Sequence, residues 1–531
     1  MTHAAVRELF ESLARSEPFR RLVRFLSVRE SGRVYLSGLT PTAKALYVAL
    51  LWEALEQPCL VIAESQAAAE AWIEALDTFH AILRGGAPAP SPLLVPAWDV
   101  LPGQGLSPHG EIKEQRAAGL CRLAAGRASV VVTPVEAALQ RLRPPEAYLQ
   151  MAVTVRTGEE IPMEDLAAHL LSIGYQRRDP VEMEGEFSIR GGIFDVFPAE
   201  AQRPVRLEFF GDTVESLRRF DPETQRSVAS IGEVTILPME ETPLRRERLE
   251  EFSARAGVAV PPGGEPFSGW EFFALAEEKP ASSLEDFLGS PIVIYDEPES
   301  LHAAADRLWK KLETLAAQSP APPEQFYFHW GELAASHPSR REIELRELLL
   351  ESQLPPETVS IEVRSQPGTA YRNHLRAAIE DARELAAQGW QVVFFAPTPG
   401  DIERLADNLS EYSLPFQLGA DDGSGAHPAP GGRAFMAVES AAVHLVQGRL
   451  ARGTRLPDER LALVGSRDLF EAVYDVQPAR ARSHAALFTP ETLELKPGDY
   501  VVHAQHGIGR FTALRQITTD GVTEDFMVVE Y

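Results

Sequence analysis

Along residues 33–150 short apolar runs alternate with stretches of helical period. RVYLSG is followed by the helical KALYVALLWEAL, CLVIAES by a helix over 67–80, then PLLVPAW, a helix near 111–126, ASVVVTP and VEAALQRL. Strands of this kind, each followed by an amphipathic or buried helix, predict a parallel sheet flanked by helices. From about 151 to 240 the period changes. VTVRTG, EFSIRGGIFDVFP, VRLEFFGD and EVTILP read as strands, with one clear helix, MEDLAAHLLSIG, between the first two. This is the pattern of a compact α+β insert.

Further on, the strand PIVIYDEPES and the helix ESLHAAADRLWKKLETLAAQ return to the first pattern. The expected fold is therefore α/β and multidomain. A helicase-like parallel α/β domain, residues 1–150 and 241–355, is interrupted by the α+β insert at 151–240. A further α/β domain follows at 356–480, built on NHLRAAIEDARELAAQG, WQVVFFAP, GDIERLADNLSEY and RLALVGS, with the Gly/Pro-rich excursion ADDGSGAHPAPGGR inside it. The last stretch, 490–531, alternates β-rich runs with glycine turns. It predicts the start of a small C-terminal β-barrel, cut short at Tyr531.

Composition narrows the function. With 51 Lys+Arg against 77 Asp+Glu the formal net charge is −26, which disfavours a sequence-independent grip on nucleic acid and favours protein or small-molecule partners. The two cysteines, Cys59 and Cys121, sit inside apolar and helical runs and read as small core residues, compatible with a reducing cytoplasm. The N-terminal pattern is an acid-bearing amphipathic helix, neither a secretion signal nor a membrane anchor, so a cytoplasmic protein is expected.

The loop SGLTPTAKA lies where a strand–loop–helix ATP site places its phosphate loop. A working loop has the form G-x-x-x-x-G-K-[ST], in which the second glycine admits the phosphates, lysine neutralises them and the hydroxyl holds magnesium. Gly38 and Lys44 are in register, but Ala43 replaces that glycine and Ala45 the hydroxyl. The expectation is a degenerate loop that keeps the shape and does not usefully bind ATP. Asp296 and Glu297 follow a strand, as magnesium-holding acids would, but lack the hydroxyl as a metal-binding partner.

In the insert, Arg190, Arg206 and Phe210 combine two arginines and an aromatic on a β-rich surface, a composition favoured at protein-binding hot spots. An ordinary strand pattern accounts for the apolar positions and for Gly191 and Gly192 as a turn, but less well for these three. His503 and His506 lack an adjacent Cys or acid to complete a metal site, and HGIG reads as a strand and turn. No complete catalytic or metal motif is present.

The stretches RGGIFDVFPAE, PVRLEFFGD, ESLRRFD and TQRS resemble the insert shared by the excision-repair helicase UvrB and the bacterial transcription-repair coupling factors. The closing PGDYVVHAQHGIGRF resembles the polymerase-interaction module of the coupling factors, which UvrB lacks. The two motifs stand in the coupling factors' order, so the resemblance covers essentially the whole chain and identifies the N-terminal half of such a factor.

The resemblance implies a non-catalytic adaptor. UvrA would be bound through Arg190, Arg206 and Phe210, and the RNA polymerase β subunit through Ile517, weakened or lost if the barrel is incomplete. The ATP- and magnesium-dependent motor would lie in a half absent from this chain, so no cofactor is expected. DNA would be bound weakly or not at all, because the stretch VPAWDVLPGQGLSPHGEIKEQR, in the place of UvrB's tyrosine-rich hairpin, has no tyrosine. Two other readings fit parts of the chain: a divergent UvrB-type ATP-dependent DNA repair helicase using Lys44, Asp296 and Glu297, and an RNA-polymerase-binding transcription regulator built on the last 37 residues, 495–531.

Overall fold

A computed structural model describes residues 4–29, 31–85, 90–244, 246–259, 266–337, 339–348, 359–418, 441–470, 500–503, 507–519 and 522–530. The chain divides into two compact units, Met1–Pro478 and Ala479–Tyr531. The Gly/Pro-rich excursion and His506 lie outside the described residues.

The larger unit holds a seven-stranded sheet with the order Val359–Glu362, Gly32–Ser37, Arg341–Arg346, Ile292–Asp296, Cys59–Ala63, Ala128–Pro134, Ser91–Leu94. Every neighbouring pair in it is parallel. Strands from before and after residues 151–240 therefore interleave in one sheet, with Arg341–Arg346 and Ile292–Asp296 wedged between Gly32–Ser37 and Cys59–Ala63. One departure from the sequence pattern is Val359–Glu362. It pairs with Gly32–Ser37 at the edge of this sheet, not with the strands that follow it in the chain.

Cys59–Ala63 is buried at every position, as expected for a strand covered on both faces. On one face Val34, Leu36, Val61, Ile294, Ile343 and Leu345 share a core with the helices Pro41–Leu55 and Gln66–Arg84. On the other, Leu60, Ile62, Val131 and Val293 share a core with helix Pro298–Leu315 and with the insert. Helix Pro41–Leu55 is buried from Thr42 to Trp52, so it carries no polar face. Its start is set by Thr40, whose side chain accepts from the Ala43 N–H, and its end by Glu56 in the left-handed region.

The insert forms a six-stranded sheet, with Ser227–Ile231 and Gln176–Arg177 at its edges and Thr213–Phe220, Val205–Phe210, Ile193–Val196 and Glu186–Arg190 between them. Beside it Val153–Arg156 pairs antiparallel with Glu233–Ile236. The strands Thr213–Phe220 and Ser227–Ile231 extend the sheet beyond those the sequence pattern identified. Phe187 and Phe194 stack at 5.4 Å in its core, joined by Leu166, Leu170, Leu207 and Leu217.

The larger unit also holds another six-stranded sheet, in which Gln391–Ala396 pairs parallel with both Val443–Gln447 and Leu461–Val464. It includes the helices Leu375–Ala387 and Pro399–Glu411, which bury apolar positions such as Ile379 and Leu405. In the smaller unit the described residues form three antiparallel strands, Tyr500–His503, Gly507–Thr519 and Val522–Glu530. Ile517 stands in the middle of these three, opposite Glu524, and His503 is opposite Gly507.

Candidate functional site

In the insert, alternation along Val205–Phe210 buries Val205, Leu207 and Phe209 and turns Arg206, Glu208 and Phe210 to the outer face. The register sets Ser188, Asp195, Arg206 and Arg218 side by side in one row across that face. Asp195 is fully buried, and Arg206 grips it with two bonds, Nε to Oδ1 at 2.7 Å and Nη2 to Oδ2 at 2.8 Å. Arg190 donates to the same Oδ2 at 2.8 Å. Two guanidinium groups thus share one carboxylate, and Arg190 also lies 3.6 Å from Asp179. Glu208 reaches Arg218 at 3.4 Å in the same face.

Arg206 is fixed further by the Gln225 carbonyl and by lying over the Phe220 ring, 4.7 Å from its centre. Its pKa is raised by the Asp195 hydrogen bond, which outweighs burial. Phe210 is 76% exposed at the end of its strand, beside the Gly211 turn. The neighbouring hairpin tip lies against it: Gly192 accepts from the Phe209 N–H, and a Cβ at Gly192 would come 2.8 Å from the Phe209 oxygen. That close approach requires glycine. The three residues singled out in the sequence therefore share the outer face of one sheet. Asp195, which organises both arginines, went unnoticed; its only signal is a lone acid inside the apolar strand IFDVF.

The phosphate-loop region is closed. Lys44, 3% exposed in its side chain, bonds Asp296 at 2.7 Å and Glu297 at 2.6 Å. Burial lowers its pKa, but the two acids outweigh burial and hold it above the usual lysine value. Asp296 also accepts from Trp72, and Glu297 from the Glu347 N–H. Ala43 and Ala45 are buried inside the helix. Gly38 has φ +79°, and a Cβ there would meet the Val363 oxygen at 2.2 Å.

The segment after strand Val359–Glu362 lies directly on the loop. Ser365 bonds both the Gly38 carbonyl and the Thr40 N–H, and the following α/β unit reaches the loop through Thr454 to Thr40 and through the Arg452 carbonyl to Thr42. The Thr40 N–H, the Thr42 hydroxyl and the Lys44 ammonium are thus met by other parts of the chain. Among the described residues no group of three His, Cys, Asp or Glu is placed to hold a metal. No helix among them is long and apolar enough to cross a membrane.

Two family models match the chain: the UvrB interaction domain over residues 153–241, and the CarD-like/TRCF RID domain over residues 495–531. Among its relatives is the transcription-repair-coupling factor of Myxococcus xanthus, 30% identical, aligned over 97% of this chain and 45% of the relative. That of Bacillus subtilis is 23% identical over 93% of this chain and 43% of its own length, and that of Mycobacterium tuberculosis 29% over 82% and 38%. The chain spans 38–45% of the length of these relatives. Over 82–97% of its own length the chain is similar to these transcription-repair-coupling factors.

Proposed function

We propose that the chain is the adaptor portion of a transcription-repair coupling factor, non-catalytic in itself, which recruits UvrA through the outer face of the insert sheet and engages the RNA polymerase β subunit near Ile517. The observation that carries the first half is the joint placement of Arg190, Arg206 and Phe210 on one exposed face, with the arginines held in position by the buried Asp195. Prepositioned guanidinium groups around an exposed aromatic ring suit a partner surface of acidic groups surrounding an apolar pocket. The match to the RID family supports the second half.

The non-catalytic reading rests on the loop. Lys44 is committed to Asp296 and Glu297, and Ser365, Thr454 and Arg452 meet the surrounding groups. On this reading ATP and magnesium belong to parts of the family's proteins that lie outside this chain.

Calorimetric titration of UvrA against the chain, its Phe210→Ala variant and its Arg190→Ala variant tests the reading. Each variant is expected to weaken binding by roughly tenfold or more, as hot-spot truncations do. Unchanged affinity in both would remove the proposed surface. In a parallel titration with the polymerase β subunit, Ile517→Ala is expected to weaken binding, and equal affinity would displace that contact.

A further inference from the structure

The face of the insert sheet opposite Arg206 and Phe210 holds a second feature. A cleft of about 580 Å³ opens there, lined by Pro198–Arg203, Val205, Arg219, Val228, Ala229 and Ile231, with Glu233–Thr235 along one side. Its rim is the edge strand Ser227–Ile231. That strand pairs with Thr213–Phe220 on one side, and among the described residues no strand pairs with the other. Ser227 to Ser230 are all exposed.

Edge strands are ordinarily protected by charge or proline, because their free N–H and C=O groups invite another strand. SVASI carries neither. Pairing shifts register between Arg219 and Phe220, leaving Val228 as an extra residue, and such a bulge bends the strand and re-aims its side chains. Val228 and its neighbour Ala229 both line the cleft, and Val228 is 55% exposed.

The charges in the cleft are unequal. Glu200 is paired with Arg122 at 3.3 Å and Glu233 with Arg156 at 3.1 Å, both outside the cleft lining. Arg203 reaches Asp221 only at 3.9 Å. Arg219, in the row between Val205 and Ala229, has no acidic partner among the described residues. The cleft therefore offers a cation to an incoming chain, in a protein whose net charge is −26.

We propose that Ser227–Ile231 is a docking edge for an extended segment of a partner protein, which adds as a further strand and places a carboxylate side chain on Arg219 and an apolar side chain against Val228. Backbone bonds would supply affinity and the cleft would select the side chains. This surface is separate from the Arg190, Arg206 and Phe210 face, since Val205 and Arg206 point to opposite sides of the sheet.

The probe is a fluorescent synthetic peptide alternating threonine and valine around one central glutamate, titrated against the chain by anisotropy. Its comparisons are the same peptide N-methylated at alternate residues and the same peptide with lysine for glutamate. The unmodified peptide is expected to bind, the methylated and lysine peptides to lose binding, and Arg219→Glu to weaken the glutamate peptide by about tenfold or more. Arg219 is exposed, so this variant should keep the circular dichroism and melting of the parent.

No binding by the unmodified peptide, equal binding of the methylated peptide, or unchanged affinity in Arg219→Glu each overturns the proposal. Self-association of the chain without peptide, abolished by Val228→Lys, would instead assign the edge to a second copy and overturns it as well. Because Arg219 is not among the residues proposed for UvrA, loss of one binding activity leaves the other measurable.

Discussion

Asp195 is fully buried beneath two arginines, and its position separates what each arginine does. Removing Arg206 deletes the bidentate partner and leaves the carboxylate with Arg190 alone, so Arg206→Ala should cost about 1–3 kcal/mol of folding stability as a buried acceptor loses bonds. Phe210, 76% exposed, supports nothing beneath it, and Phe210→Ala should change stability by less than about 0.5 kcal/mol. Urea unfolding of both variants checks this; equal losses would mean that Asp195 is not the support of the patch. Binding data on Arg206 alone would therefore mix recognition with stability. Arg190, Arg206 and Phe210 could be picked out from residue type and spacing. Asp195 could not, because which polar residue of a strand becomes buried depends on what stands opposite it on the neighbouring strands, and that register is set by the whole sheet.

Among the elements, the long alternation over 33–150 and the strands of the insert were legible because hydrophobic period is a local property. Strand Val359–Glu362 was less so: VSIE is short, and its place beside Gly32–Ser37 depends on contacts more than 300 positions away in the chain. The same holds for Ser365, which covers the loop at Gly38 and Thr40.

The seam between helix Gly110–Ala124 and the insert adds a consequence for pH. Glu114 is pushed up to about 8 by burial, then by its hydrogen bond and repulsion with Glu184 and by the charge of Glu200. Its folded pKa lies above the unfolded value of 4.5, so the folded state holds the proton more tightly. The stabilisation is complete below about 4.5 and is lost as pH rises through about 8. Glu240 and Glu285, each raised to about 7 chiefly by burial, act with the same sign. Urea midpoints measured across that window should fall with rising pH, and Glu114→Gln should flatten the fall. An unchanged slope would mean that Glu114 does not hold a proton at the seam.

At the scale of the whole molecule, the loop that opens the first sheet has become a joint. Thr40 and Thr42 receive Thr454 and the Arg452 carbonyl, Thr78 bonds both the carbonyl and the N–H of Arg449, and Ser365 bridges Gly38 to Thr40. A nucleotide entering here would have to displace these groups and break both bonds of Lys44, so binding energy would be spent on undoing the native contacts. A ligand present at a hundred times its Kd stabilises a fold by about 2.7 kcal/mol, which a melting curve resolves easily. Addition of ATP and magnesium is therefore expected to leave the melting temperature of the chain unchanged. Lys44→Ala should lower it, because it strands Asp296 and Glu297 beside each other without their cation; removing one partner of a buried pair costs about 3–5 kcal/mol, and the partial exposure of Glu297 puts the expected loss at the lower end of that range. The two results together distinguish a structural lysine from a catalytic one. If ATP raised the melting temperature and Lys44→Ala abolished that rise with little loss of stability in the absence of nucleotide, the lysine would be a nucleotide ligand, and the helicase reading would replace the adaptor for this part of the chain.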